Sequence, residues 1–153
     1  MGRQFSRSGG WSEFESGSYR SGLEEKNAIM FEKAGVNVEY EEAFLEYEVP
    51  SSKHRYTPDF ILPNGVIVET KGLLSPEDRK KHLLIKKQFP HLDIRFVFSN
   101  PNQKLYKGSP TTYAMWCKKQ GFLYAQKLTP VQWLQETTKD TTGLKRKGTK
   151  EPK

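Results

Sequence analysis

Two acidic residues and a lysine lie within one short segment rich in strand-forming residues, and together they could support metal-dependent phosphodiester hydrolysis. Asp59, Glu69 and Lys71 belong to the segment YTPDFILPNGVIVETKG. Neighbouring carboxylates repel each other unless a cation lies between them, and hard oxygen ligands select Mg²⁺ or Mn²⁺. A bound ion lowers the pKa of water and neutralises charge on a phosphoryl oxygen. Lys71 would then orient or deprotonate the attacking water, or stabilise the pentacovalent state.

The turn inside this segment decides whether the two carboxylates meet. Residues 63–65, Pro-Asn-Gly, separate two runs of β-forming residues and favour a turn. A three-residue loop with Gly65 in the left-handed conformation predicts that Asp59 lies opposite Glu69. A two-residue loop would instead pair Phe60 with Glu69 and separate the carboxylates.

Side-chain alternation gives the expected hairpin a chemical face and a core face. Lys71 emerges on the same face as Glu69. The core face is expected to contain Phe60, Leu62, Val66 and Val68. Taken singly, strand-end acids are usually solvated and Lys71 would be an ordinary ion-pair partner. The combination on adjacent strands is more specific than any one residue, and it favours a metal-dependent site.

The hairpin residues match the motif of the PD-(D/E)xK nucleases, with Pro58-Asp59 and Glu69-Thr70-Lys71 in its positions. A longer resemblance runs nearly without gaps from Arg20 to about Trp133. It is carried by the segments RSGLE, YTPDF, LPNG, VETKGL, DRKKHLLI and KLYKGSPT. These segments resemble the endonuclease I family of the T-odd bacteriophages, which resolve Holliday junctions.

The resemblance implies a fold, an assembly and a reaction. The fold is an α/β nuclease core with a mixed central β-sheet flanked by helices, in a segment-swapped homodimer with composite active sites. The reaction is metal-dependent cleavage of four-way junctions and other branched DNA in the cytoplasm of the host cell, leaving 5′-phosphate and 3′-hydroxyl ends. The implied cofactor is Mg²⁺, with Mn²⁺ as a substitute and two ions per active site.

The resemblance also implies roles for particular residues. The catalytic set would be Glu24, Asp59, Glu69 and Lys71. The metal ligands would be Glu24, Asp59, Glu69 and the backbone carbonyl of Thr70. In a composite site, Glu24 would come from one chain and the other catalytic residues from its partner.

Glu24 has a second interpretation that comes from the residues alone. Ser21-Gly22-Leu23-Glu24 fits a capping box, in which Ser21 caps a helix and Glu24 reaches back to the backbone. Without the resemblance, capping is the favoured role. A carboxylate in the first helical turn could also reach a second metal near Asp59, since paired ions lie roughly 4 Å apart.

The charge of the chain suits a polyanionic partner. Its 153 residues include 25 Lys and Arg against 18 Asp and Glu, a net charge of +7. Lysines on helices usually form a solvated face, but several of these flank the candidate site and are expected to contact phosphates. The candidate DNA-binding residues are Arg20, Ser21, Arg79, Lys80, Lys81, Lys104, Lys107, Lys145, Arg146 and Lys147.

The sequence argues against several other classes of protein. Cys117 is the only cysteine, which excludes an intramolecular disulfide and a cysteine zinc site and makes a reducing compartment the default expectation. No signal peptide is recognisable, and no apolar run is long enough to span a bilayer, so no membrane partner is expected.

The expected organisation is one nuclease domain with a basic arm at each end. Residues 1–19 are predicted to be a flexible basic arm, 20–137 the nuclease domain, and 138–153 a flexible basic tail. A strand over 36–40 is predicted to continue into the acidic run at about 41–50, either as a charged edge strand or as the bridge over which subunits exchange segments.

The remaining elements are predicted from caps and hydrophobic runs. Helices are expected over residues 21–34, from Ser75 to near Phe89, from Ser109 or Thr111 to Gln120, and from Thr129-Pro130 through Trp133, and a buried strand over 93–98.

Two alternative functions remain open at this point. One is a restriction- or repair-type nuclease on the same core, which would cut ordinary duplex DNA. The other is an architectural DNA-binding protein whose hairpin carboxylates are structural. Metal-dependent nicking would exclude the architectural protein.

Overall fold

The computed structural model describes residues 21–49 and 52–147, so the predicted N-terminal arm and Arg20 lie outside the described residues. The helices are α1 (Gly22–Lys33), α2 (Pro76–Gln88), α3 (Tyr113–Gln120) and α4 (Val131–Leu134). The strands are β1 (Glu39–Tyr40), β2 (Ala43–Val49), β3 (Ser52–Tyr56), β4 (Phe60–Ile61), β5 (Ile67–Lys71), β6 (Ile94–Phe98), β7 (Tyr124–Gln126) and β8 (Lys145–Arg146). Within the described ranges, no helix is long and apolar enough to cross a membrane.

The central sheet has five strands in the order β1-β4-β5-β6-β7. The β1–β4 and β4–β5 pairs are antiparallel, and the β5–β6 and β6–β7 pairs are parallel. Alternation along β5 sends Ile67 to the α2 and α3 side and Val68 to the side where α1 and Trp133 pack. Apolar cores therefore lie on both faces, and the predicted mixed sheet flanked by helices is confirmed.

The helix boundaries follow the cap residues in the sequence. Ser21 accepts a hydrogen bond from the Glu24 N–H at 3.1 Å, and Gly35 follows α1 with a φ of 73°. Ser75 and Asp78 form a complete capping box at the start of α2. Helix α3 begins later than either expected start, because Thr112 provides its N-cap.

The hairpin that carries the candidate site has the predicted register. Phe60 pairs with Val68, and the Leu62 N–H donates to the Val66 carbonyl at 2.8 Å. The loop is three residues long, with Gly65 at a φ of 93°. The three-residue turn is confirmed, and the same register places Asp59 opposite Glu69.

The expectation of one strand running through residues 36–50 is wrong, and the β-forming run that begins at Tyr56 is divided between two strands. Tyr56 ends β3, which is separate from β4. The chain also breaks at Glu41, whose φ of 51° is incompatible with an extended strand. After this break, β2 leaves the central sheet and joins a second, three-stranded sheet in the order β3-β2-β8.

The C-terminal segment differs from the expected free tail as far as Lys147. The Lys139 N–H donates to the Asn64 carbonyl at 2.7 Å, and Lys145-Arg146 pairs with β2 as strand β8. The acidic side chains Glu46 and Glu39 explain this docking, because they form ion pairs with Lys145 at 2.6 Å and Arg146 at 2.7 Å. Residues 148–153 lie outside the described residues.

Candidate active site

Three carboxylates from separate elements converge beside the central sheet. Glu24 lies in the first turn of α1, Glu41 directly follows β1, and Asp59 directly precedes β4. One oxygen from each lies within 4.8 Å of the others. The Glu41 N–H donates to the Asp59 carbonyl at 3.1 Å, so the β1–β4 pairing fixes these two acids side by side.

Glu24 is buried, and its backbone and its carboxylate have different partners. Its backbone N–H donates to the Ser21 hydroxyl that caps α1. Its carboxylate accepts a hydrogen bond from the Tyr40 hydroxyl at 3.0 Å and lies near Asp59. Because the cap uses the Glu24 backbone, the side chain can be held in the acidic cluster at the same time.

Asp59 is fully buried and is held from the neighbouring strand. Its Oδ2 accepts hydrogen bonds from the Thr70 N–H at 2.9 Å and the Thr70 hydroxyl at 2.8 Å. Burial raises the pKa of Asp59 well above its ordinary value, and the Glu69 and Glu24 carboxylates raise it further. A buried acid among other acids is unfavourable when ionised unless a cation joins the cluster.

Glu69 is 4% exposed and is oriented by two partners. Its Oε1 accepts a hydrogen bond from the Tyr56 hydroxyl at 2.7 Å, and its Oε2 lies 3.6 Å from the Lys71 Nζ. Burial raises the pKa of Glu69, while Lys71 and Tyr56 oppose the shift. Burial and the Glu69 carboxylate raise the pKa of Tyr56 well above its ordinary value, so Tyr56 remains a hydrogen-bond donor.

Lys71 lies between two carboxylates. Its Nζ is 3.2 Å from Asp78 Oδ1, in addition to its contact with Glu69. Burial alone would lower the pKa of Lys71, but these two acids outweigh it and raise the pKa. Lys71 is therefore protonated at neutral pH, and the first turn of α2 positions it through Asp78.

His82 closes the apolar side of this arrangement. Its ring packs edge-on against Tyr56, with centroids 5.0 Å apart, and against Phe96. Burial lowers the pKa of His82 to about 3, so the ring is neutral. It supports Tyr56 by packing, and Tyr56 in turn holds Glu69.

The donor set fits a hard divalent cation. Every candidate donor atom is an oxygen, and two of the three clustered acids are buried. Glu24, Glu41 and Asp59 offer one position. The Thr70 hydrogen bonds tie Asp59 to the strand that carries Glu69, which would allow Asp59 to serve a second position with Glu69 and the Thr70 carbonyl.

The predicted DNA-binding residues fall into two groups among the described residues. Some have partners within the protein: Arg79 donates to the Leu74 carbonyl at 2.8 Å, Lys81 lies 3.7 Å from Asp78, and Lys145 and Arg146 pair with Glu46 and Glu39. The Ser21 hydroxyl caps α1. The others, namely Lys80, Lys104, Lys107 and Lys147, present exposed side chains to solvent.

The structure thus brings Glu24 to Asp59, and Glu69 to Lys71. It also adds three residues that the sequence did not assign to the site: Glu41, Tyr56 and Asp78. Asp78 was recognisable only as a helix cap and Tyr56 only as a β-former. Glu41 resembled its neighbours in an acidic run, and the β1–β4 pairing was needed to separate it from them.

The chain is similar to known proteins over most of its length. A sequence profile described as phage endonuclease I matches residues 5–153. The chain is 54% identical over 136 residues to Endonuclease I of Escherichia phage T7, an alignment covering 88% of this chain and 91% of that protein. It is also 54% identical over 123 residues to Endodeoxyribonuclease 1 of Enterobacteria phage T3, covering 80% of this chain and 81% of that protein.

Proposed function

We propose that this chain, which belongs to the phage endonuclease I family, is a metal-dependent endodeoxyribonuclease that cuts four-way junctions and other branched DNA. The observation that carries the proposal is the buried carboxylate cluster around Asp59, placed beside the Glu69–Lys71 pair. The reaction is phosphodiester hydrolysis that leaves 5′-phosphate and 3′-hydroxyl ends. It would act in the cytoplasm of the host cell.

Glu24, Asp59, Glu69 and the Thr70 carbonyl would hold two Mg²⁺ ions, for which Mn²⁺ would substitute, and Glu41 is a further candidate ligand. When bound, the metal lowers the pKa of a coordinated water and neutralises charge on the scissile phosphate. Because a ligating carboxylate must be ionised, a bound metal would oppose the rise in the pKa of Asp59 that burial and the neighbouring acids cause.

Lys71 would act on the phosphate as a cation. Because Glu69 and Asp78 raise its pKa, Lys71 keeps its proton at neutral pH and is a poor general base. Its ammonium group can donate hydrogen bonds to a phosphoryl oxygen and stabilise the charge that develops in the pentacovalent state. This favours charge stabilisation over deprotonation of water among the roles considered for Lys71.

The assembly proposed is a homodimer with two composite active sites. Resolution of a four-way junction needs paired cuts on two strands, which a C2 dimer can provide. Exchange at the β2–β3 connection would preserve each contact of the structure while supplying Glu24 from one chain and Asp59 from the other. The exposed lysines Lys80, Lys104, Lys107 and Lys147 are suited to phosphate contacts along the arms.

The experiment that tests the function compares matched substrates. Purified protein is incubated with Mg²⁺ and either a four-way junction or a linear duplex built from the same arm sequences. We expect Mg²⁺-dependent nicks in the junction and little cutting of the duplex. Equal cutting of both would indicate a duplex nuclease, and failure to cut either in Mg²⁺ or Mn²⁺ would leave an architectural DNA-binding protein.

Variants of the candidate residues test whether cleavage takes place at this site. Asp59→Asn and Glu69→Gln should abolish nicking while binding of the junction stays near wild type, since the basic surface is unchanged. Glu77→Gln is the matched control, because Glu77 is an exposed acid on α2 outside the cluster. Wild-type cleavage by Asp59→Asn in Mg²⁺ would overturn the metal assignment.

A further inference from the structure

A concave surface lies on the Lys71 side of the site, and none of its lining residues belongs to the proposed catalytic or metal-binding set. The cavity has a volume of about 440 Å³ and is lined by Leu73, Leu74, Ser75, Lys104, Tyr106 and Tyr113, among others. Ser75 caps the helix whose Asp78 contacts Lys71 at 3.2 Å. The cavity therefore begins within one helical turn of Asp78, the acid that contacts the proposed catalytic lysine.

The walls of this cavity include the two most exposed large apolar side chains among the described residues. Leu73 is 69% exposed and Tyr106 is 63% exposed. Single exposed apolar residues are common on protein surfaces, but two that face the same concavity beside an active site form a binding surface.

Tyr106 is held on a rigid support. Its carbonyl accepts a hydrogen bond from the Ser109 N–H at 3.0 Å, and Gly108 has a φ of 86°, which together make a type II turn. The turn closes a short hairpin in which the Leu105 N–H donates to the Thr111 carbonyl at 2.9 Å. An aromatic ring presented in this way loses little conformational entropy when it binds a ligand.

The charges around the cavity indicate the kind of ligand. Lys104 and Lys107 are both exposed, and they lie before and after Tyr106 on the same hairpin. Apolar and aromatic walls with cations at the rim match a nucleobase joined to phosphates, since bases stack on aromatic rings and lysines neutralise the backbone.

We infer that this cavity binds one unstacked nucleobase of the DNA next to the scissile phosphodiester, an inference that rests on the proposed function. Tyr106 stacks on the base, Leu73 packs against its edge, and Lys104 and Lys107 contact the flanking phosphates. Bases inside a continuous duplex are stacked and cannot enter, whereas a branch point supplies a base that can leave its stack. The cavity thus contributes to the preference for branched DNA.

Binding measurements without divalent metal test this inference. Wild type, Tyr106→Ala and Tyr106→Phe are titrated against a four-way junction and a linear duplex of the same sequence, each with 2-aminopurine at the position that flanks the branch. We expect Tyr106→Ala to bind the junction about tenfold more weakly, the scale of one lost base–aromatic stack. It should bind the duplex as wild type does, and Tyr106→Phe should keep junction affinity.

Two controls separate stacking from other effects. Leu123→Ala removes an apolar side chain that is 54% exposed and does not line the cavity, and it should change nothing. Lys107→Ala should weaken binding to both DNAs and reduce the slope of log K against log salt by about 0.9. Tyr106→Ala should leave that slope unchanged and reduce the 2-aminopurine signal on the junction.

The outcomes distinguish this inference from the proposed function. If wild type cuts the junction in Mg²⁺ but Tyr106→Ala binds and cuts it equally well, the base-binding cavity is wrong and the function stands. Equal losses for junction and duplex would also overturn the cavity, because they would indicate a general contact. If wild type neither prefers nor cuts the junction, the proposed function and this inference both fail.

Discussion

Lys71 shows how the neighbours of a residue can prepare it for a proposed role. Glu69 and Asp78 lie 3.6 Å and 3.2 Å from its Nζ, and they hold the ammonium group in place and in its charged form. Lys71→Ala should therefore keep metal binding but lower turnover by roughly 10²-fold or more, as expected for a lost charge-stabilising donor. Mn²⁺ titration and single-turnover cleavage measure the two properties separately.

The control for Lys71 is a cation removed elsewhere on the neighbouring helix. Lys87→Ala takes an exposed lysine from the last turn of α2 and should leave turnover unchanged. If Lys71→Ala cuts a junction at the wild-type rate, Lys71 is an ion-pair partner for Glu69 and no more.

The raised pKa of Asp59 makes a prediction about stability. In the metal-free protein, folded Asp59 retains a proton at pH values where the unfolded chain has released it, near its ordinary pKa of 3.8. The folded state then binds more protons, so its stability falls as pH rises from about 4 through the raised pKa. Asp59→Asn is neutral throughout and should gain stability relative to wild type over that range.

Thermal unfolding in EDTA at pH 4 and pH 7.5 measures this difference. We expect the melting temperature of Asp59→Asn minus that of wild type to be larger at pH 7.5, by several degrees, given about 2–4 °C per kcal/mol for a chain of this size. Mg²⁺ should then stabilise wild type more than the variant. The same difference at both pH values would contradict a raised pKa for Asp59.

At the residue scale, the sequence predicts the position of a side chain well when strand alternation determines it. It predicts that position poorly when pairing between strands distant in sequence determines it. The placement of Asp59 opposite Glu69 follows from the turn between their strands, whose residues favour a known loop type. Glu41 does not, because it occupies a left-handed conformation that is rare for glutamate, and four other acids lie between residues 39 and 48. Its role depends on a contact between β1 and β4 that no local pattern encodes.

The hairpin turn at Gly65 is the element on which the site depends. A Cβ added at Gly65 would lie 2.9 Å from the Lys139 carbonyl oxygen, and its φ of 93° already disfavours any other residue. Gly65→Ala should lower the free energy of unfolding by about 2 kcal/mol or more, through strain and this backbone clash together. Urea unfolding monitored by circular dichroism measures the loss.

Two other glycines separate the contribution of backbone strain from that of the clash with Lys139. Gly35 also has a positive φ, 73°, but a Cβ there meets nothing within 4 Å. Gly35→Ala should therefore lower the free energy of unfolding by only about 1 kcal/mol, the contribution of the backbone conformation alone. Gly22→Ala, in open space at the start of α1, should be close to neutral. Equal losses at Gly65 and Gly35 would mean that the contact with Lys139 is unimportant.

At the element scale, caps and turns are predictable because each depends on a few adjacent residues. Ser75 with Asp78, and Pro63 through Gly65, encode their structures locally. The division of residues 36–50 between two sheets is not predictable in this way. Alternating acidic and apolar residues continue through Glu41, and only the packing of two sheets decides where the strand must bend.

For the whole molecule, the C-terminal segment joins parts that are distant in sequence. Residues 138–147 contact the Asn64 turn and strand β2, and Leu144 packs against the core. Such contacts escape a sequence analysis because a basic segment resembles a solvated tail until its acidic partners are located. Removing residues from Thr138 onward should therefore lower stability by about 2–4 kcal/mol, the scale of several lost hydrogen bonds and ion pairs.

A shorter truncation provides the control for this loss. Removing residues 148–153 leaves in place the contacts described above for residues 138–147, and we expect the urea midpoint to stay unchanged. If the longer truncation also unfolds at the wild-type midpoint, the docked segment contributes nothing to the fold. Loss of DNA binding by that truncation is interpretable only after its stability has been measured.

The proposed dimer makes a prediction that concerns both copies at once. In the structure, one chain contains both Glu24 and Asp59, and segment exchange would place the same pair across two chains. A heterodimer of one Glu24→Gln chain and one Asp59→Asn chain distinguishes these layouts. With exchange, one site collects both lesions and the other is intact, whereas without exchange each site carries one lesion.

The activity of the heterodimer therefore shows whether Glu24 and Asp59 of one site come from the same chain or from two chains. Subunits that exchange segments dissociate slowly, so the two chains are co-expressed with different tags and the doubly tagged species is isolated before assay. We expect it to nick a four-way junction in Mg²⁺, with one functional site per dimer, while both mutant homodimers are inactive. If the verified heterodimer is as inactive as its parents while wild type prepared identically cuts, Glu24 acts within its own chain or has no part in catalysis.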